Sequence, residues 1–169
     1  MSIQANLKEV LADLPSGVRL VAVSKFHPNE AIEEAYTAGQ RIFGESKVQE
    51  MTQKYETLPK DIEWHFIGHL QTNKIKYMAP YVAMIHGIDS YKLLVEVNKQ
   101  AKSAAVSFHA CYKSISPKKR PSSVSALMNV GKCSKKEIGK NCIISKSAAS
   151  WVWQPISMTQ NKLRKNFVP

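Results

Sequence analysis

The sequence predicts a parallel α/β fold built from one repeated strand–helix unit, and three observations carry that expectation. Apolar runs end at Lys25, Ser46, His69 and Ser90, spaced 21, 23 and 21 residues apart, and each is followed by a segment with helical spacing. Residues 18–23 have no polar alternation apart from Arg19, which suits a strand buried on both faces of a parallel sheet. Turn residues also fall where such a unit needs them, with Pro28 opening the first intervening helix and Gly39 closing it.

Taken in chain order, residues 3–14 read as an amphipathic helix laid down before the first strand. The first strand delivers Lys25 at its carboxyl end, where barrel folds keep their chemistry. The next helix starts at Pro28, sets Ala31, Ile32, Ala35 and Tyr36 on one stripe, and stops at Gly39. A second strand ends at Glu45 and Ser46, and an apolar stripe in residues 48–58 marks the helix after it. The third strand carries His65, Gly68 and His69, with the amides of Gln71 and Asn73 on the following loop or helix start. Leu93, Leu94 and Val97 mark the helix that follows the fourth strand.

Composition divides the chain. Residues 1–103 hold 12 Lys or Arg and 12 Asp or Glu, whereas residues 104–169 hold 12 and 1, so the formal charge of +11 sits in the second part. That part also holds Cys111, Cys133 and Cys142, 11 serines, and little helical or strand periodicity. Cysteine spacings of 22 and 9 match no zinc pattern, and an odd count leaves one thiol unpaired. With no secretory signal and no run apolar enough to cross a membrane, free thiols in a reducing cytoplasm are expected. Lys118, Lys119 and Arg120, with Trp151 and Trp153, could supply phosphate contacts and stacking platforms for nucleic acid. Short basic runs commonly have no dedicated partner, so a nucleic-acid role is disfavoured.

The candidate residues can be weighed one by one. An amine that attacks a carbonyl must be neutral part of the time, and a lysine at a partly apolar barrel mouth has its charged form disfavoured; by position Lys25 meets that requirement. Taken alone, a lysine after a strand is a solvated surface charge. His65 and His69 are four apart, on one side of a strand, but no third ligand accompanies them, so a hydrogen-bonded structural pair is preferred to a metal site. Gly68 allows close approach of either a cofactor or a neighbouring backbone. Glu45 and Ser46 could touch a ring or its water, or could cap the next helix.

The strings VRLVAVSKFHPNEAIEEAYTAGQRIFGESKVQE, IEWHFIGHLQTNK and IHGIDS occur in this order, and residues 7–102, a little under 60% of the chain, resemble the front half of the pyridoxal-phosphate homeostasis protein family. The resemblance implies the first half of an alanine-racemase-like (β/α)8 TIM barrel, followed here by a basic irregular segment. Residues 1–103 would be a partial cofactor-binding barrel, an N-terminal helix plus four βα units. The resemblance further implies that Lys25 forms the aldimine with pyridoxal 5'-phosphate, with Glu45, Ser46, His65 and Gly68 as weaker contacts. Ser46 stands where many members carry Asn. A carrier without known turnover is implied, with pyridoxal-phosphate-dependent apoenzymes as partners. Two alternatives stand beside it: a fold-related enzyme such as an amino-acid racemase, which needs a second acid/base group and usually another domain, and a basic nucleic-acid-binding or interaction protein.

Members of the family continue with a fifth strand resembling CLLQIHIAxEETKFG and later with CGLMGMAT, and neither string is present. Both emerge when the second part is read one base out of frame. Trp151 has a single codon, and its last base joined to Val152 forces Gly; Trp153 joined to Gln154 forces Ala, and Met158 joined to Thr159 forces Asp. With permitted codons elsewhere, residues 145–154 become Q-I-C-G-L-M-G-M-A, and residues 112–124 become Q-I-H-I-A-K-E-E-T-K-F-G. Residues beyond about 103 are therefore expected to be a frameshifted translation. In the family the cofactor phosphate is held largely by backbone and hydroxyl groups beyond the GLMGM-type segment, so this chain is expected to be a poor cofactor binder.

Overall fold

A computed structural model describes residues 2–114, 124–130 and 151–155. Helix α1 (Ile3–Ala12) is followed by β1 (Arg19–Val23), α2 (Asn29–Thr37), β2 (Ile42–Glu45), α3 (Val48–Thr57) and β3 (Glu63–Phe66). A 3-10 turn (Thr72–Lys74) then runs into the short helix α4 (Ile75–Met78), after which come β4 (Val82–Ile88) and α5 (Tyr91–Ser103). Three further strands are β5 (Phe108–Ser114), β6 (Val124–Val130) and β7 (Trp151–Pro155). They form one sheet in the order β6-β5-β4-β3-β2-β1-β7. All neighbours are parallel except β5 and β6. The four consecutive βα units anticipated from the spacing are present, in sequence order across the sheet.

Local chemistry explains the element ends. Ser2 caps α1 by accepting from the Ala5 N–H at 3.3 Å, and Ser90 caps α5 by accepting from the Leu93 N–H at the same distance. Pro28 falls one residue earlier than expected: it is the cap itself, in extended conformation, and α2 begins at Asn29. Gly39 does close α2, with φ at +103° and its N–H donated to the Tyr36 carbonyl. The strands stop one to three residues before the positions read from the apolar runs, although the N–H groups of Ser24 and Ile67, just beyond β1 and β3, still bond the neighbouring strand.

One face of the sheet packs on the helices. Ala22, Phe43, Trp64, Phe66 and Ile85 join Ile32 and Ala35 of α2, Met51 of α3, Ile75 and Met78 of α4, and Leu93, Leu94 and Val97 of α5 in one buried cluster. Each such large side chain taken from water contributes about 1.5–3 kcal/mol. A smaller cluster of Leu7, Val10 and Leu20 fixes α1 against the edge of the first unit. The other face is mixed, with Val21, Val23, Ile42 and Met84 buried on the side that carries His65. Along β3, Glu63 and His65 alternate with Trp64 and Phe66, and Glu63 pairs with Arg19 of β1 at 2.7 Å.

The basic segment was expected to be irregular, with no strand placed in it. Within it, residues 108–114 pair with β4, 124–130 with β5, and 151–155 with β1. Phe108, Val124, Trp151 and Trp153 give these stretches residues that favour strands, and the flanks of β1 and β4 offer unpaired ladders to them. The Lys118–Arg120 run and the Cys133 and Cys142 positions lie outside the described residues.

Candidate functional site

The carboxyl ends of β1 to β4 lie side by side at one end of the sheet. They deliver the turn Ser24 to His27, then Glu45 and Ser46, then Ile67 and Gly68, then Asp89 and Ser90. This is the end at which parallel α/β proteins bind ligands.

Lys25 is exposed on the turn after β1, which closes through the His27 N–H to the Ser24 carbonyl at 3.0 Å. Its Nζ lies 6.0 Å from the Phe26 ring centroid, and Lys47 Nζ approaches the same ring at 5.2 Å. The partly apolar shelter anticipated for Lys25 is not supplied by its described neighbours. An accessible primary amine at this end of a parallel sheet does fit the covalent part of pyridoxal phosphate binding. No described group assembles a phosphate cradle beside it.

Glu45 is fully buried. Its Oε1 accepts from Ser24 Oγ at 2.5 Å and from Lys54 Nζ at 2.7 Å, while Oε2 has no partner among the described residues. Lys54 Nζ also donates to Glu50 Oε1 at 2.8 Å and to the Ser24 carbonyl at 2.9 Å. Burial pushes the Glu45 carboxyl up, against the opposing hydrogen bonds from Lys54 and Ser24. For Glu50 burial also acts upward, but hydrogen bonds from Lys54 and the Phe26 N–H, with the charges of Lys54 and Lys47, hold the carboxyl below its usual range. Glu45 thus faces the interior of a salt-bridge network, away from the solvent that Lys25 occupies.

Ser46 is half-buried, and its backbone explains Gly68: a Cβ at Gly68 would collide with the Ser46 carbonyl oxygen and lie 2.8 and 2.9 Å from the Ser46 C and Cα. Of the two readings of that glycine, close backbone approach has a visible cause. His65 is buried, and its Nδ1 is 3.0 Å from Nε2 of His86 on β4. His69 does not share a strand face with it, because β3 ends at Phe66; His69 is exposed and pairs with Asp89 at 3.3 Å. Gln71 and Asn73 line an open cleft of about 430 Å³ beside His69, Asp89 and Ser90. Among the described residues no three His, Cys, Asp or Glu side chains could hold a metal together.

Burial, with the charges of His86, Arg19 and His109, lowers the His65 pKa to about 2. The folded value lies below the ordinary 6.5, so on acidification the unfolded chain takes up the proton first and stability is lost as pH falls below about 6.5. Between pH 7.5 and 4.5 this one group should cost about 2–3 kcal/mol. Urea unfolding of the wild type and of His65→Gln at both pH values checks this, since the shifts of Glu45 and Glu50 cancel in the comparison. Equal acid slopes for the two proteins would refute it.

Sequence reasoning missed Lys54, Glu50 and His86. The i,i+4 spacing of Glu50 and Lys54 was a usable signal for their pairing. Nothing in it pointed to Glu45 or to the turn at Lys25.

No family model matches the chain. It is similar to the pyridoxal phosphate homeostasis protein of Aquifex aeolicus, 48% identical over 84 residues that make up 49% of this chain and 37% of that protein. The fold is similar to PipY of Synechococcus elongatus solved without pyridoxal phosphate, with a TM-score of 0.64 and 38% identity over 71% of this chain and 56% of that one. The same protein solved with pyridoxal phosphate bound gives 0.58 and 42% over 61% and 50%. Alanine racemase from E. faecalis, 17% identical with a TM-score of 0.51 over 59% of this chain and 28% of that one, shares the fold alone. The described βα units are thus those of an alanine-racemase-like TIM barrel. The chain spans about a third to a half of the length of the curated relatives it matches.

Proposed function

We propose that this protein serves pyridoxal phosphate homeostasis, holding the cofactor covalently through the ε-amine of Lys25 and passing it to apoenzymes in the cytoplasm. The observation that carries the reading is the exposed Lys25 at the carboxyl end of β1, in a chain similar over 61% of its length to a protein solved with that cofactor. When bound, the cofactor would supply an electrophilic aldehyde. The chain supplies the amine, and the barrel end around Ser46 and Gly68 would border the ring.

The same reading includes the frame. Residues beyond about 103 are proposed to be an out-of-frame translation, supported by the two family strings spelled in the hidden frame, and sequencing the DNA between codons 95 and 115 tests it. Among the described residues no helix is long and apolar enough to cross a membrane.

Borohydride reduction of the frame-corrected protein with pyridoxal phosphate, followed by peptide mapping, should place the adduct on Lys25, and Lys25→Ala should abolish it. A stable adduct on another lysine, or none on a well-folded protein, would sink the proposal.

A further inference from the structure

We infer that Lys54 and Glu50 of α3 are positioning residues, which hold the turn bearing Lys25 in the shape from which its amine meets the cofactor. The inference rests on the reading of Lys25 given above. It starts from backbone strain. Phe26 has φ at +66°, a left-handed conformation that is costly for a bulky side chain, and at 72% exposure its ring gains little from burial. Such a turn persists only when its surroundings over-determine it.

The surroundings do so on both sides of Lys25. The preceding residue is tied through its carbonyl, which accepts from Lys54 Nζ at 2.9 Å, and through its hydroxyl, which donates to Glu45 Oε1 at 2.5 Å. The following residue is tied through the Phe26 N–H, which donates to Glu50 Oε1 at 2.8 Å. These ties interlock, because Lys54 Nζ also donates to Glu45 and Glu50 and so spends its three protons on three acceptors. The Lys54 and Glu45 side chains are 7% and 0% exposed, so water competes little for these bonds. Lys25 itself is left with a fixed backbone and an exposed side chain whose amine lies 6.0 Å from the Phe26 ring centroid. A fixed Cα with a free Nζ is what a reacting lysine requires.

The test uses the full 169-residue chain and four variants: Glu50→Ala, Glu50→Gln, Lys54→Met and Lys54→Arg. Residue-resolved hydrogen exchange at the Phe26 amide is read without cofactor. Separately, excess pyridoxal phosphate and borohydride are added: Lys25 Nζ joins the aldehyde carbon, a water leaves, and hydride fixes the bond as a secondary amine, which peptide mapping counts against other lysines. Losing one charged hydrogen bond should speed Phe26 exchange by roughly ten-fold and lower the Lys25 share of label by a similar factor in Glu50→Ala. Glu50→Gln keeps an acceptor for the Phe26 N–H and should restore both readouts in part, as should Lys54→Arg relative to Lys54→Met. If Lys54→Met fails to fold, the Glu50 pair decides. Wild-type protection and labelling in Glu50→Ala would overturn the inference alone. A wild-type Lys25 share no greater than that of the other lysines would remove its premise and the proposed function together.

Discussion

Titrated side by side with pyridoxal phosphate, the 169-residue chain is expected to hold the cofactor at least about a hundred-fold more weakly than its frame-corrected counterpart. A phosphate dianion is anchored by charge-assisted hydrogen bonds worth about 1.5–3 kcal/mol each, and the loss of two would weaken binding by roughly 10² to 10⁴. Lys25 is present in the chain as given, and an imine formed by a lysine amine is reversible in water. The groups expected to grip the phosphate belong, by the family resemblance, to segments that this frame does not spell. The three strands beyond α5 do not replace them by pairing alone, because pairing engages main-chain groups in the ladder. The visible absorbance of the bound cofactor reports the titration. Equal affinity in the two proteins, abolished equally by Lys25→Ala, would mean that the front half suffices.

Gly68→Ala should be among the most damaging single-methyl additions, costing on the order of 3 kcal/mol. What the added Cβ would meet is the Ser46 backbone, with its carbonyl oxygen, C and Cα all inside normal contact. A flexible side chain could swing aside. Here the carboxyl ends of β2 and β3 must part, and the ladder bond from the Ile67 N–H to the Glu45 carbonyl, 2.8 Å long, would be stretched. Gly87→Ala is the control: its Cβ would meet only the Gly68 carbonyl oxygen at 3.6 Å, an ordinary contact, and the cost should stay near 1 kcal/mol or below. Urea unfolding midpoints of the three proteins check the pair. A Gly68→Ala midpoint equal to wild type would show that the strand ends separate without penalty, and that the glycine is there for another reason.

The alternation of helix and strand was legible because its causes are local. Apolar runs, a glycine free to take +103° after α2, and serine caps on α1 and α5 act within a few residues, so the order and approximate limits of the elements follow from the chain itself. So did the placement of Lys25 after the first strand, and the break in composition near residue 103, which coincides with the end of α5. The strand ends were less legible. The main chain still pairs at Ile67, whose N–H bonds the Glu45 carbonyl, but leaves the strand before His69, and nothing local in the sequence marks that departure.

What only the tertiary structure decided was which side chains meet. His65 finds His86 because β4 lies parallel to β3 with a register shift between Trp64 and His65, and an irregularity of one residue reverses the faces of everything beyond it. Lys54 reaches Ser24, thirty positions away, because α3 packs against the sheet through Val48 and Met51 in the core. The sequence by itself determined the repeating βα unit, the lysine at its mouth and the family likeness, since these depend on periodicity and on short strings. The turn strain at Phe26, the buried network beneath it and the contact that demands Gly68 depend on distances between segments far apart in the chain, and those are set only when the helices have packed against the sheet.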